Sequence, residues 1–266
     1  MAHQPPHTSA AFARDIARYL DEVVGRDAVP DYPGALNGLQ VDNLGPITGI
    51  VASVDVSLTV LNAATNAGAN FLIVHHGLFW NGPQALVGAT YQRFRTLLTN
   101  DVAVYASHLP LDAHPVLGNN VLLAGALELK PSRPFASYRG AAIGLAGETD
   151  VPTAALIDRV RHVVEPFGAT VRTSRVEPGR RTRHWGICTG AGASSETLRE
   201  AVALGLDTLI VGEGPHHTAV DAPDWGLVIL YAGHYATETL GVQALARAAA
   251  THFGLPWRFL NEPTGL

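Results

Sequence analysis

Cysteine is nearly absent from this chain, which has one, Cys188, among 266 residues. A single cysteine excludes an internal disulfide framework and any zinc site built on paired cysteines. Cys188 lies in an apolar run, so we expect it in the core. Charged residues are also scarce, at 15%, and the net charge of −5 comes with no large basic cluster. Nucleic acid is therefore not expected as the principal partner.

Long apolar runs are missing as well. No stretch approaches the roughly 20 residues that a membrane-spanning helix needs. Residues 1–10 are polar and contain proline, unlike a signal peptide. We therefore expect a cytoplasmic protein without membrane association. The hydrophobic share of 47% is still enough to bury a substantial core, and the length fits one large domain or two ordinary ones.

The most informative stretch is residues 71–77, where four apolar residues lead into two adjacent histidines and a glycine. Neighbouring residues of a strand point to opposite faces, so His75 and His76 can serve one site only if the strand has just ended. Gly77 allows the chain to turn there. Ligand sites of α/β sheets lie beyond the carboxyl ends of the strands, and imidazoles placed there can bind metal. The alternative is a pair of ordinary histidines, one buried and one exposed.

Apolar spacing and glycine or proline breaks predict strands that alternate with helices. A first helix, capped by Thr8 or Ser9, has apolar residues from Phe12 to Val23 at helical spacing, and residues 31–45 are predicted as a loop. The predicted strands are 47–54, 71–74, 102–106, 138–145, 170–175, 184–189, 208–211 and 227–232. The predicted helices are 57–67, 91–98, 116–127, 153–165, 194–204 and a long one over 233–252. This alternation indicates an α/β fold with mostly parallel sheets, and Pro131 and Pro134 predict that a second domain begins near Glu128.

An internal repeat relates the two halves of the sequence. Residues from Gly49 onward recur 137 positions later, from Gly186 onward, without a gap. Further along, Tyr-Ala-Ser-His at 105–108 followed by Asp112 matches Tyr-Ala-Gly-His at 231–234 followed by Glu238. Small and apolar residues recur by chance in α/β proteins, but the repeated histidine and acid favour duplication. Two related halves facing one another would bring their polar strand ends into a common cleft.

Five side chains close to the predicted strand ends can bind metal: His75, His76, Asp112, His234 and Glu238. His234 and Glu238 are four residues apart and share a face on a helix, although such pairs are also common on surfaces. Asp112 is predicted on a proline-restricted loop, where it can instead cap a helix. A single catalytic ion that keeps one coordination position open for water or substrate needs fewer than five protein ligands. Two ions bridged by a carboxylate would use all five. Nitrogen and oxygen ligands without thiolate suit zinc, iron, manganese or nickel.

Three further histidines are candidates for moving protons: His108, His216 and His217. His108 can also be a metal ligand, or it can orient Asp112. His216 and His217 follow a glycine-containing segment that lacks a phosphate-binding pattern. The sequence contains no G-x-S-x-G, no P-loop lysine motif and no H-E-x-x-H, which argues against the corresponding hydrolase classes.

Four segments together resemble the dinuclear-metal-centre hexameric proteins, relatives of the yeast NGG-one-interacting factor that are often labelled GTP cyclohydrolase 1 type 2 homologues. The segments are residues 37–41, 74–80, 108–120 and 233–238, and with their surroundings they cover nearly the whole chain. The resemblance matches the five ligand candidates above to the family's metal ligands one by one. It places His108 at a position close to the metals.

The resemblance implies two α/β lobes, residues 1–127 with 233–266 and residues 128–232, with a metal site in the cleft between them. It also implies a homo-hexameric ring, and the chain is similar to the short bacterial form without an inserted domain. We expect two divalent ions per chain and a metal-dependent hydrolase of a small, nucleotide-like substrate. The alternative is a non-enzymatic metal-handling or adaptor protein.

Overall fold

The computed structural model describes residues 10–266, which form two compact α/β units. The first unit runs to His108 and includes Val242–Glu262, and the second comprises Leu109–Gly241 and Pro263–Leu266. These bounds differ from the predicted lobes, because Leu123 and Leu127 pack beside Trp185 in the core of the second unit. The predicted cap at Thr8 or Ser9 lies outside the described residues.

Strands and helices alternate along most of the chain. The strands are β1 (Gly38–Val41), β2 (Ile50–Asp55), β3 (Phe71–His76), β4 (Ala103–Ala106), β5 (Pro131–Tyr138), β6 (Ala141–Pro152), β7 (Arg172–Thr173), β8 (Arg181–Cys188), β9 (Thr208–Val211), β10 (Val228–Tyr231) and β11 (Trp257–Phe259). The helices are α1 (Ala13–Val24), α2 (Leu58–Asn66), α3 (Gly88–Thr99), α4 (Leu109–Asp112), α5 (Asn119–Ala126), α6 (Thr153–Val164), α7 (Ser195–Ala203), α8 (His216–Asp224), α9 (His234–Thr237) and α10 (Thr239–Phe253). Within the described chain, no helix is long and apolar enough to cross a membrane.

The first unit contains a five-stranded sheet in the order β1-β4-β3-β2-β11. All neighbouring strands are parallel except β1, which pairs antiparallel with β4 at one edge. The central strand β3 is buried from Phe71 to His75, as expected for a parallel strand covered on both faces. The loop predicted over residues 31–45 is wrong in part, because it contains β1. Pairing of Gly38 with Ala106 holds this strand, a tertiary contact that local composition does not reveal.

The second unit contains a six-stranded sheet in the order β5-β6-β8-β9-β10-β7. Only β8, β9 and β10 are parallel neighbours, so this sheet is mixed and not mostly parallel as predicted. Pro131 and Pro134 lie in β5, an edge strand, where a missing N–H is tolerated. The strand predicted over 138–145 includes a hairpin turn, because Arg139 and Gly140 take positive φ angles of 47° and 86° between β5 and β6.

The internal repeat has a structural counterpart in β2-α2-β3 and β8-α7-β9. Ser57 and Ser194 occupy matching positions before α2 and α7, and each side-chain oxygen accepts a hydrogen bond of 3.1 Å from the N–H three residues later. This is the usual serine cap of a helix. The strand pairing differs by two residues, since Ile50 lies opposite Phe71 whereas Ile187 lies opposite Ile210.

The segment predicted as one helix over 233–252 is broken. The turn α9 ends at Thr237 and α10 begins at Thr239, because Glu238 leaves the helical conformation at φ −107° and ψ 4°. Asp112 likewise does not lie on a loop as predicted: it is the last residue of the single helical turn α4. Both carboxylates therefore stand at the ends of short helical turns that follow the parallel strands β4 and β10.

Candidate functional site

His75 and His76 are the last two residues of β3. The expectation that the strand ends before them is wrong, since His76 still pairs with Asp55 of β2 and the strand stops only at Gly77. The two rings nevertheless lie 4.8 Å apart between centroids. Each side chain is turned by a separate hydrogen bond, which brings two rings from neighbouring positions to the same end of the sheet.

The hydrogen bond of each ring determines which nitrogen can bind a metal. Nδ1 of His75 lies 2.9 Å from the carbonyl oxygen of Ser107, and Nδ1 of His76 lies 2.9 Å from Oδ1 of Asp55. Carbonyl and carboxylate oxygens accept hydrogen bonds, so Nδ1 is the protonated nitrogen and Nε2 carries the lone pair. Metal-binding histidines are oriented in this way in known metalloproteins.

His108 completes a group of three imidazoles in the first unit. Its Nδ1 lies 2.8 Å from Oδ1 of Asp31. One ring nitrogen from each of His75, His76 and His108 lies within 4.8 Å of the other two. Burial opposes ionisation of Asp31, but hydrogen bonds from His108, Asn37 and the Tyr32 N–H, with the charge of His108, hold its pKa below the usual value. Asp31 is therefore a carboxylate that fixes the His108 ring.

Asn37 and Gln40 hold the backbone at and beside these imidazoles. Oδ1 of Asn37 accepts a bond of 2.8 Å from the His108 N–H, and its Nδ2 donates to Asp31. Oε1 of Gln40 accepts a bond of 2.7 Å from the Leu78 N–H, while its Nε2 donates to two carbonyl groups of the preceding turn. A Cβ at Gly77 would overlap the Gln40 amide, so glycine is required there for close approach.

The second unit brings together the other three predicted ligands. A carboxylate oxygen of Asp112 lies within 4.8 Å of one of Glu238, and both residues are buried, with 7% and 2% of their surface exposed. Nε2 of His234 lies 3.2 Å from Oε2 of Glu238, so the pair does share a face despite the break at Glu238. Nδ1 of His234 lies 2.8 Å from Oε1 of Glu213.

Two buried carboxylates this close repel each other unless a cation lies nearby. Glu238 has such a cation in the His234 imidazolium: burial lowers the pKa of His234, but hydrogen bonds and charge from Glu238 and Glu213 outweigh burial and raise the pKa to about 9. Burial, with the charges of Asp112 and Glu238, raises the pKa of the Cys188 thiol well above its usual value. Cys188 therefore stays neutral in the core, as expected, and does not supply a thiolate ligand.

Gly190 gives the Glu238 carboxylate its space. It follows β8, has a φ of 62°, and its N–H donates a bond of 3.0 Å to Oγ1 of Thr237. A Cβ at this position would overlap Oε1 of Glu238. The preceding residue, Thr189, contacts the other carboxylate, since its Oγ1 lies 3.3 Å from Oδ1 of Asp112. One short segment thus positions both acids.

His216 and His217 lie apart from these groups. They begin α8 and are exposed, and Nε2 of His217 lies 3.2 Å from Oγ of Ser195. Within residues 10–266, neither belongs to a group of three or more residues able to bind one ion. Their predicted acid or base role stays a prediction.

Three imidazole partners were missed from the sequence: Asp31, Asp55 and Glu213. Asp55 ends β2 beside β3, so the position of a carboxylate at a neighbouring strand end was a usable signal. Glu213 occupies the repeat position of His76, which also singles it out. Asp31 lies in a segment without regular pattern, and nothing in the sequence connects it to His108.

The donor set fits divalent metal ions. Four imidazoles are oriented through Nδ1, two carboxylates are buried together, and thiolate is absent from the set, which suits a borderline or hard divalent ion. The fold and these residues define a two-unit α/β protein with potential metal ligands at or just after the ends of parallel strands in each unit.

Comparison with known proteins identifies the family. A family model described as Duf34/NIF3 (NGG1p interacting factor 3) matches residues 12–264, and the chain belongs to this family. A relative in Deinococcus radiodurans named GTP cyclohydrolase 1 type 2 homolog is 41% identical over 259 residues, covering 95% of this chain and 94% of that protein. One in Halobacterium salinarum with the same name is 40% identical over 257 residues, covering 94% of this chain and 97% of that protein.

Solved structures share the fold. The structure titled "protein ybgI, unknown function" matches with a TM-score of 0.85 and 32% identity, covering 96% of this chain and 100% of that one. The protein TTHA1606 from Thermus thermophilus matches with a TM-score of 0.76 and 31% identity, again covering 96% and 100%. The predicted family and fold class are therefore confirmed.

Proposed function

We propose that this chain binds two divalent metal ions through His75, His76, Asp112, His234 and Glu238, and that it hydrolyses a small substrate with them. The observation that carries the proposal is the orientation of the imidazoles: His75, His76 and His234 each bond through Nδ1 to an oxygen atom. Metal-binding histidines almost always donate their other ring N–H to such an oxygen, which fixes the ring for the metal.

The relatives' name supports the reaction class. Several are called GTP cyclohydrolase 1 type 2 homolog, so hydrolysis of a nucleotide-like substrate is the first activity to test. A divalent ion bound by these ligands would supply Lewis acidity and acidify a water molecule.

His108 has the second role in this proposal, which is to move a proton. Asp31 accepts the hydrogen bond from Nδ1 and so leaves the lone pair on Nε2, the atom that would accept a proton from water and return it to the leaving group. The same dyad geometry orients the base in other hydrolases. His108 therefore acts on the substrate, while the five residues named above hold the ions.

A screen of the metal-loaded protein against nucleoside triphosphates, phosphoesters and cyclic amides tests the activity. We expect His108→Gln to keep its metal and lose roughly 10²–10⁴-fold in turnover, the range for a general acid or base. His162→Gln, on the exposed face of α6, is the matched control and should leave turnover unchanged. Loss of metal from His108→Gln would contradict its proton-transfer role. Stoichiometric transfer of metal to an acceptor without turnover would favour a metal-handling protein.

A further inference from the structure

A cavity of about 190 Å³ lies in the first unit directly beside His76. Its lining residues include Trp80, Asn81, Thr90 and Arg93. The cavity accommodates one phosphate or carboxylate group.

Arg93 is the cation of this cavity. It is half-buried on α3, and Nη1 makes a long hydrogen bond of 3.4 Å to the carbonyl oxygen of Val56. No carboxylate in the described part of the chain forms an ion pair with it. Thr90 is three residues earlier on the same helix and shares its face. A guanidinium has five N–H donors in a fork that matches two oxygens of an oxyanion.

Asp55 also lines the cavity, and its negative charge opposes an anionic ligand. Its Oδ1 is already engaged by Nδ1 of His76. A divalent ion held by His76 would add positive charge beside Asp55 and so favour an anion next to Arg93. The cavity is therefore suited to anions when metal is bound.

We propose that Arg93 binds an oxyanion of the substrate, a phosphate or a carboxylate, in this cavity and so places the adjoining substrate atoms at His76. The inference rests on the proposed function in two respects: that metal is bound at His76, and that the rest of the substrate extends from the cavity toward it. It identifies the substrate class as a small anionic molecule, and it makes Arg93 a binding residue that acts on affinity.

Calorimetric titration of the metal-loaded protein with inorganic phosphate and, separately, with acetate tests the proposal. We expect Arg93→Gln to weaken binding of the preferred anion by ~10–100-fold, the worth of a charge-assisted pair of hydrogen bonds. The control is Arg95→Gln, an exposed arginine on the same helix, which should bind within about twofold of wild type. Whether phosphate or acetate binds more tightly identifies the oxyanion.

Equal binding by wild type and Arg93→Gln would overturn the proposal, since phosphate held only by metal does not depend on Arg93. Absence of binding to wild type would overturn it as well. If melting shows that Arg93→Gln does not fold, Arg93→Lys decides: weaker binding supports the fork, and unchanged binding refutes it.

Elemental analysis of the same samples separates the oxyanion site from the proposed metal-dependent hydrolase. If the protein contains no metal but its anion binding depends on Arg93, the oxyanion site is sustained and the metal-dependent hydrolase is refuted. If the protein contains metal but its anion binding does not depend on Arg93, the oxyanion site is refuted and the proposed hydrolase stands.

Discussion

Oδ1 of Asp55 lies 2.9 Å from Nδ1 of His76, and the two residues stand opposite each other at the ends of neighbouring parallel strands. The strand register therefore sets the orientation of the imidazole. The carboxylate fixes the tautomer with the lone pair on Nε2 and increases the basicity of the ring toward a metal ion.

Replacement of this carboxylate should weaken metal binding. We expect Asp55→Asn to reduce metal affinity by ~10–100-fold, as is usual when the partner of a metal-binding histidine is changed. Asp158→Asn, on the exposed face of α6, should have no effect. Competition with a chelating dye measures both. Identical affinities for the two variants would show that Asp55 does not orient a ligand.

Gly190→Ala tests the space around Glu238. The new Cβ would displace the carboxylate, so metal content should fall. Gly179→Ala is the matched control, since Gly179 has a similar φ of 76° and its Cβ would meet nothing within 4 Å. In both variants alanine must adopt a left-handed backbone conformation, which lowers the free energy of unfolding by roughly 1–2 kcal/mol and so lowers the melting temperature. If Gly190→Ala holds as much metal as Gly179→Ala, the Glu238 carboxylate is not a ligand.

Structural features that form through local interactions could be predicted from the sequence, whereas features that need a partner distant in the sequence could not. The strand at 208–211 and the helices capped by Ser57 and Ser194 were predicted well, because apolar runs and capping residues act locally. The edge strand β1 and the β5–β6 hairpin were missed, since one needs β4 as a partner and the other depends on a turn in which Arg139 has a positive φ. The five ligand candidates were accessible because they end or follow apolar strands, whereas Asp31 reaches His108 only through the folded loop.

Metal binding should release a proton from His234. Its pKa is raised from 6.5 to about 9 in the metal-free fold, so the stabilisation from its charged form is complete below pH 6.5 and is lost as pH rises through about 9. A metal ligand must be neutral, hence apparent metal affinity should increase with pH up to about 9. Titrations at pH 8 in buffers of different ionisation enthalpy should show about one proton released from this group. No proton release would mean that metal does not bind His234.

The hexameric ring is a proposal that comes from the family resemblance. Light scattering at micromolar concentration should give a mass close to six times the chain mass of 28.1 kDa. We expect the mass to be the same with and without bound metal, because the proposed ligands all belong to one chain. A mass near that of a single chain would refute the ring.

Metal content per chain tests the central claim most directly. Elemental analysis of the wild type should find about two divalent ions per chain, and His76→Ala and Glu238→Ala should each contain fewer. His162→Ala, which removes an exposed histidine from α6, should match the wild type. Melting curves would establish that each variant is folded. A wild type that binds no stoichiometric metal, or folded His76→Ala and Glu238→Ala variants with the full wild-type content, would contradict the account.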